Sequence, residues 1–83
     1  MNIFVENLNS KISEAQLLEL FSQYGTVRSV SIAMDRFSGH SKGFAFVEME
    51  DDAQAAFAIR QLNNFNFMNQ YLELKAIRSK PGS

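Results

Sequence analysis

The stretch that most constrains this chain is KGFAFVEM, residues 42–49. In a strand, successive side chains point to opposite faces. Phe44 and Phe46 therefore share one face, and Ala45, Val47 and Met49 share the other. One face has to be the core. If Phe44 and Phe46 were inward, Ala45, Val47 and Met49 would stand in water. An Ala/Val/Met core puts two large rings outside, and that needs a physical reason.

The rest of the chain shows which face is covered. Residues 2–8, β-branched and aromatic with side chains alternating between two faces, predict a strand, ended by Asn7 and the NSK that follows. Ser13 then predicts an N-cap, with Gln16 completing a capping box and Ile12 stapling onto Leu17. Leu17, Leu20 or Phe21, and Tyr24 recur at helical spacing, and Gly25 is expected to supply a left-handed C-cap. Residues 27–35 predict a second strand with Val30, Ile32 and Met34 on one face. A loop over 36–41 precedes the third strand. Asp51 or Asp52 caps a second helix with a narrow inward stripe of Ala55, Ala58, Ile59 and Leu62, ended by Asn63 and Asn64. Residues 65–70 read as a connector whose Phe67 plugs the core edge. Residues 71–77 read as the fourth strand, with Leu72 and Leu74 inward. One domain over 1–78 is expected, followed by a flexible tail over 79–83, with no internal repeat.

The order is strand, helix, strand, strand, helix, strand. Two amphipathic helices can cover one face of a four-stranded antiparallel sheet and leave the other open. With Val47 and Met49 toward the helices, Lys42, Phe44, Phe46 and Glu48 point away. With Ile3 and Val5 inward, Phe4 points away too, beside Asn2 and Glu6. In a split βαβ arrangement the first and third strands are central neighbours, so Phe4, Phe44 and Phe46 are expected to form one platform. Leaving such rings in water is unfavourable by roughly 1.5–3 kcal/mol each relative to burial. Stacking of unpaired bases recovers ~1–3 kcal/mol per base.

Charge has to be read locally, because a formal net charge of −1 gives no global attraction to nucleic acid. Arg36, His40 and Lys42 fall together in one segment, and Lys75, Arg78 and Lys80 lie near the end. These cations are candidates to neutralise phosphates that connect stacked bases. There is no cysteine, hence no disulfide framework or thiolate metal site, and a lone His40 does not make a zinc site. No apolar run approaches the ~20 residues of a membrane span, and MNIFVENLNS does not have the form of a secretion signal. An intracellular monomer without cofactor, metal or membrane contact is the expectation.

At this point the chain resembles a known family, the RNA recognition motif. Its octamer, K/R-G-F/Y-G/A-F-V-x-F/Y, is met by KGFAFVEM at seven of eight positions. IFVENL, residues 3–8, is similar to the family's partner hexamer, and LFSQYGTV and AIRQLNN fit its layout. The resemblance implies an α+β, ferredoxin-like βαββαβ sandwich, with two helices on one face of a four-stranded antiparallel sheet. It implies single-stranded RNA as partner, with Phe4 and Phe44 stacking on bases, Phe46 against sugars and Lys42 on phosphate. Asn2, Arg36, Lys75, Arg78 and Lys80 complete the candidate RNA-binding set. Single-stranded DNA is not separated from RNA by these residues.

Met49 and Asn64 depart from the family pattern, where an aromatic and a glycine are usual. Glu6, Glu48 and Glu73 project from the open face and would repel phosphate, so the expected affinity is weak and salt-sensitive, ~1 µM or worse. The layout resembles small single-motif proteins of bacteria, including cyanobacteria, which implies the cytoplasm; a fragment of a larger eukaryotic protein would imply the nucleus.

Two other classes compete. A protein-interaction module could use the sheet or the helical face, since exposed aromatics serve that role as well. An enzyme on this topology needs an anion-cradling loop with an arginine, which ENLNSKIS does not offer. Phe37 admits two readings, clamping a base or packing its loop. His40 reads as a solvated loop residue, Phe57 and Phe65 as surface apolars, and Tyr24 and Phe21 as helix core.

Overall fold

The computed structural model describes residues 1–78; the expected tail over 79–83, with Lys80, lies outside the described residues. Helix α1 (Glu14–Ser22) starts where the capping box predicts. The Gln16 N–H donates to Ser13 Oγ at 3.1 Å, and the Ser13 N–H donates to Gln16 Oε1 at 2.8 Å. Two N–H groups that the first turn leaves without helical partners are thereby satisfied. Helix α2 (Asp52–Leu62) is capped by Asp51, whose carboxylate accepts from the Gln54 N–H at 2.9 Å. Asn64 follows its end at φ 63°, the left-handed geometry that asparagine tolerates.

Strands β1 (Asn2–Glu6), β2 (Val27–Met34), β3 (Ser41–Met49) and β6 (Glu73–Ile77) form one antiparallel sheet in the order β2-β3-β1-β6. Both helices pack on one face. Ile3, Val5, Ala45, Val47 and Met49 are fully buried against Leu17 and Phe21 of α1 and Ala55, Ala58 and Leu62 of α2. The alanines matter sterically, because small side chains let α2 lie close to the sheet. Leu72 and Leu74 close the core beside β6, and Phe67 packs against its edge as expected.

Three expectations need correction. Met34 does not follow Val30 and Ile32 inward but is 53% exposed. The β2–β3 register shifts between Ile32, opposite Ala45, and Met34, opposite Ser41, so Met34 lies beyond the regularly paired part of the sheet. Gly25 is not a left-handed C-cap. α1 ends at Gln23 in right-handed geometry, and Gly25 lies two residues on at φ 159°. Its hydrogen instead leaves room for the Gln54 side chain, whose Oε1 accepts from the Thr26 N–H at 3.2 Å.

The connector, finally, contains a hairpin, β4 (Asn66–Phe67) and β5 (Gln70–Tyr71), turning through Met68 at φ 52° and Asn69 at φ 67°. Positive φ at both central residues is what a type I′ turn requires. Methionine in the first of those positions hides the turn from a reader who looks for Asn-Gly. Asn7 and Asn9 tie the hairpin to the end of β1, donating to the Tyr71 and Met68 carbonyls at 2.8 and 2.9 Å.

Candidate nucleic-acid interface

The register between β1 and β3 builds the site. Phe4 lies directly opposite Phe46, while Ile3–Val47 and Val5–Ala45 are the paired neighbours on the core side. Facing pairs on adjacent strands approach within ~5 Å, close enough for ring contact. The Phe4 and Phe46 rings stack with centroids 5.2 Å apart and planes inclined by 26°. Phe44 stands edge-on to both, at 5.6 Å from Phe4 and 6.1 Å from Phe46. The three rings are half-buried rather than bathed in water, because each shields part of the others. Their exposure is therefore less costly than isolated rings would suggest.

β6 adds a fourth apolar member that sequence reading missed. Ile77 joins Phe4, Phe44 and Phe46 around a shallow, wholly apolar depression of ≈400 Å³. The signal was available: Leu74 is inward, so alternation along β6 turns Lys75 and Ile77 outward.

A grid of side chains surrounds the rings. Lys75 faces Phe4 from β6, and its Nζ lies 3.8 Å from Glu6 Oε2. Glu6 and Glu73 are register partners. One row further along, Ser29, Glu48, Asn2 and Ile77 follow across β2, β3, β1 and β6. Ser29 Oγ donates to Glu48 Oε1 at 3.4 Å, and Asn2 Nδ2 donates to the Arg78 carbonyl at 3.4 Å. Asn2, Phe4, Phe44, Phe46, Lys75 and Arg78 thus meet on this face or at its β6 edge.

Lys42 and Arg36 are placed differently. β3 enters the sheet through Gly43 at φ 85°, where the Leu8 N–H donates to the Gly43 carbonyl at 2.8 Å. A side chain here would combine left-handed strain with a Cβ 3.4 Å from the Leu8 carbonyl oxygen. That is the physical reason for the octamer's glycine. Lys42 precedes this irregularity, exposed, so its direction is not set by simple alternation from Phe44.

Arg36, Phe37 and His40 are exposed in the loop between β2 and β3. Asp35 organises that loop. Its Oδ1 accepts from the Ser38 N–H at 3.1 Å and from the Phe37 N–H at 2.8 Å. These two bonds, together with the charge of Lys42, hold the Asp35 carboxyl below its ordinary value of 3.8. Phe37 is 94% exposed, so it does not serve as loop packing.

Phe21 is fully buried, and Tyr24 packs against the core with its ring 5.8 Å from the 44%-exposed Phe57. Among the described residues, no group of three or more His, Cys, Asp or Glu could hold a metal ion. No helix among them is long and apolar enough to cross a membrane.

Comparison with known proteins agrees with this geometry. The family model for the RNA recognition motif matches residues 3–73. RbpA of the cyanobacterium Synechocystis is 41% identical over 81 residues, covering 98% of this chain and 78% of its own. The crystal structure of RNA Binding Protein PG1 superposes with a TM-score of 0.93 at 43% identity, covering 98% of each chain. A complex of the Sex-lethal protein with RNA gives 0.89 at 28% identity, covering 99% of this chain and 49% of the other.

Proposed function

The chain belongs to the RNA recognition motif family, and on that footing we propose that it binds single-stranded RNA on the open face of its sheet without catalysing a reaction. The observation that carries the reading is the contiguous cluster of Phe4, Phe44 and Phe46 on the face opposite both helices. Flat rings with solvent above them suit unstacked bases, and single strands present such bases where A-form duplexes do not. The names of two similar structures point the same way, one an RNA-binding protein and one a complex with RNA.

In this reading Phe4 and Phe44 each stack on a base, and Phe46 packs against the sugars between them. Ile77 widens the apolar floor. Lys42, Arg36 and Arg78 hold phosphates, Lys75 does so only in part because Glu6 competes for it, Asn2 stands at the rim, and Lys80 extends the cationic set from outside the described residues. The protein acts as a monomer in a bacterial cytoplasm, in keeping with its cyanobacterial relatives.

Titration of the protein with a short single-stranded RNA tests this. Amide signals of Phe4, Phe44 and Phe46 should shift, with a smaller response at Phe37, and added salt should weaken binding. Shifts confined to the helices would favour a protein partner on the Tyr24–Phe57 face.

A further inference from the structure

Acidic side chains on a surface meant for RNA call for an explanation, and Glu48 has a particular one. It stands two residues beyond Phe46 on the same strand and face, ~7 Å along β3. Asn2 is its direct partner on β1, two residues before Phe4. The pair Glu48–Asn2 therefore forms a rim immediately beside the stacked pair Phe46–Phe4. Ser29 Oγ donates to Glu48 Oε1, which orients the carboxylate and leaves Oε2 without a partner among the described residues. Asn2 Nδ2 is turned to the Arg78 carbonyl, so its Oδ1 is the end without a partner among the described residues. The rim thus presents acceptors to whatever base lies over the rings.

Bases differ in what they offer such a rim. The Watson–Crick edge of guanine carries two adjacent donors, N1–H and the N2 amino group, which match the two oxygens of a carboxylate. Uracil presents one N3–H between two carbonyl oxygens, and those oxygens would face the rim's acceptors. Adenine and cytosine each present one amino group beside an acceptor nitrogen. Carboxylates accept from base amino groups in this way, and single-stranded RNA exposes these edges for reading.

We propose that Glu48, with Asn2 beside it, selects guanine over uracil at the base stacked on Phe4. The proposal rests on the RNA-binding reading above and adds to it a base preference that stacking alone does not supply. A carboxylate that only repelled phosphate would weaken binding to every sequence alike, and that difference makes the two roles separable.

The test measures binding of the whole chain to three eight-nucleotide RNAs: all uracil, the same with one central guanine, and the same with inosine replacing that guanine. Guanine should bind about tenfold tighter than uracil, within what one bidentate base contact supplies. Inosine keeps N1–H but lacks the amino group, and should fall between them. Glu48→Gln, checked for fold by circular dichroism, should reduce the guanine preference to about threefold or less, while the all-uracil RNA binds up to about twofold tighter. Equal tightening of all three RNAs by Glu48→Gln, with the guanine-to-uracil ratio kept, would overturn the proposal. So would equal affinities of wild type for guanine, inosine and uracil, a comparison that does not depend on the variant folding. No binding of any RNA would overturn the RNA-binding reading itself, a separate and recognisable outcome.

Discussion

Replacing Phe44 with alanine separates a ring that binds from a ring that holds the fold. In the structure Phe44 contacts Phe4 at 5.6 Å and Phe46 at 6.1 Å, both edge-on, and lies on the face away from the helices. Each aromatic pair contributes ~0.5–1.5 kcal/mol beyond area burial, so losing both should cost the fold about 1–3 kcal/mol. Phe21 is the control. It is fully buried on the core side of α1, and Phe21→Ala should cost about 3–5 kcal/mol, enough to threaten folding of a domain this small.

On the binding side, the loss of one stacked base removes ~1–3 kcal/mol. At 1.4 kcal/mol per tenfold, that weakens the dissociation constant by roughly 5- to 150-fold. The assay pairs urea unfolding with fluorescence anisotropy on a labelled single-stranded RNA. Phe44→Tyr should keep most of the affinity, since the ring face survives. If Phe44→Ala loses as much stability as Phe21→Ala while binding RNA normally, the ring belongs to the core and the platform argument fails.

Glu6→Gln should free Lys75 from its 3.8 Å ion pair and make it available to phosphate. Binding at low salt should tighten about two- to fivefold, and the slope of log K against log salt should steepen by about 0.7, one phosphate contact on a single strand; an unchanged slope would show that Lys75 does not reach RNA. For Asp35, whose carboxyl is held down by the Ser38 and Phe37 N–H bonds and by Lys42, the direction of pH dependence follows from the lowered value. Its contribution to loop order is present above 3.8 and is lost as pH falls through the lower folded-state value. The Phe37 and Ser38 amide signals should therefore titrate with a midpoint below 3.8 in an NMR pH series, and a midpoint at or above 3.8 would contradict the assigned bonds.

What was legible in the chain was what is local. Alternation over residues 44–49 told inside from outside correctly, because side-chain direction in a regular strand depends only on position along that strand. Ser13 with Gln16 marked one helix start and the pair Asp51 or Asp52 the other, where the structure selects Asp51, because a cap is made within four residues. Where a strand lost regularity the same logic failed, as at Met34 beyond the β2–β3 irregularity. The hairpin over 66–71 escaped notice because Met68 adopts a left-handed backbone that its side chain does not advertise, in a segment tied down by Asn7 and Asn9 from far away in sequence.

Sequence alone therefore determined the sidedness of the sheet and the presence of three outward phenylalanines. Only the tertiary structure decided that Phe4 meets Phe46 face to face, that Ile77 completes the floor, that Lys75 is engaged by Glu6, and that Glu48 and Asn2 share a rim. The physical reason is register. Which residue stands opposite which is set by packing two helices against four strands at once, and no single segment carries that information.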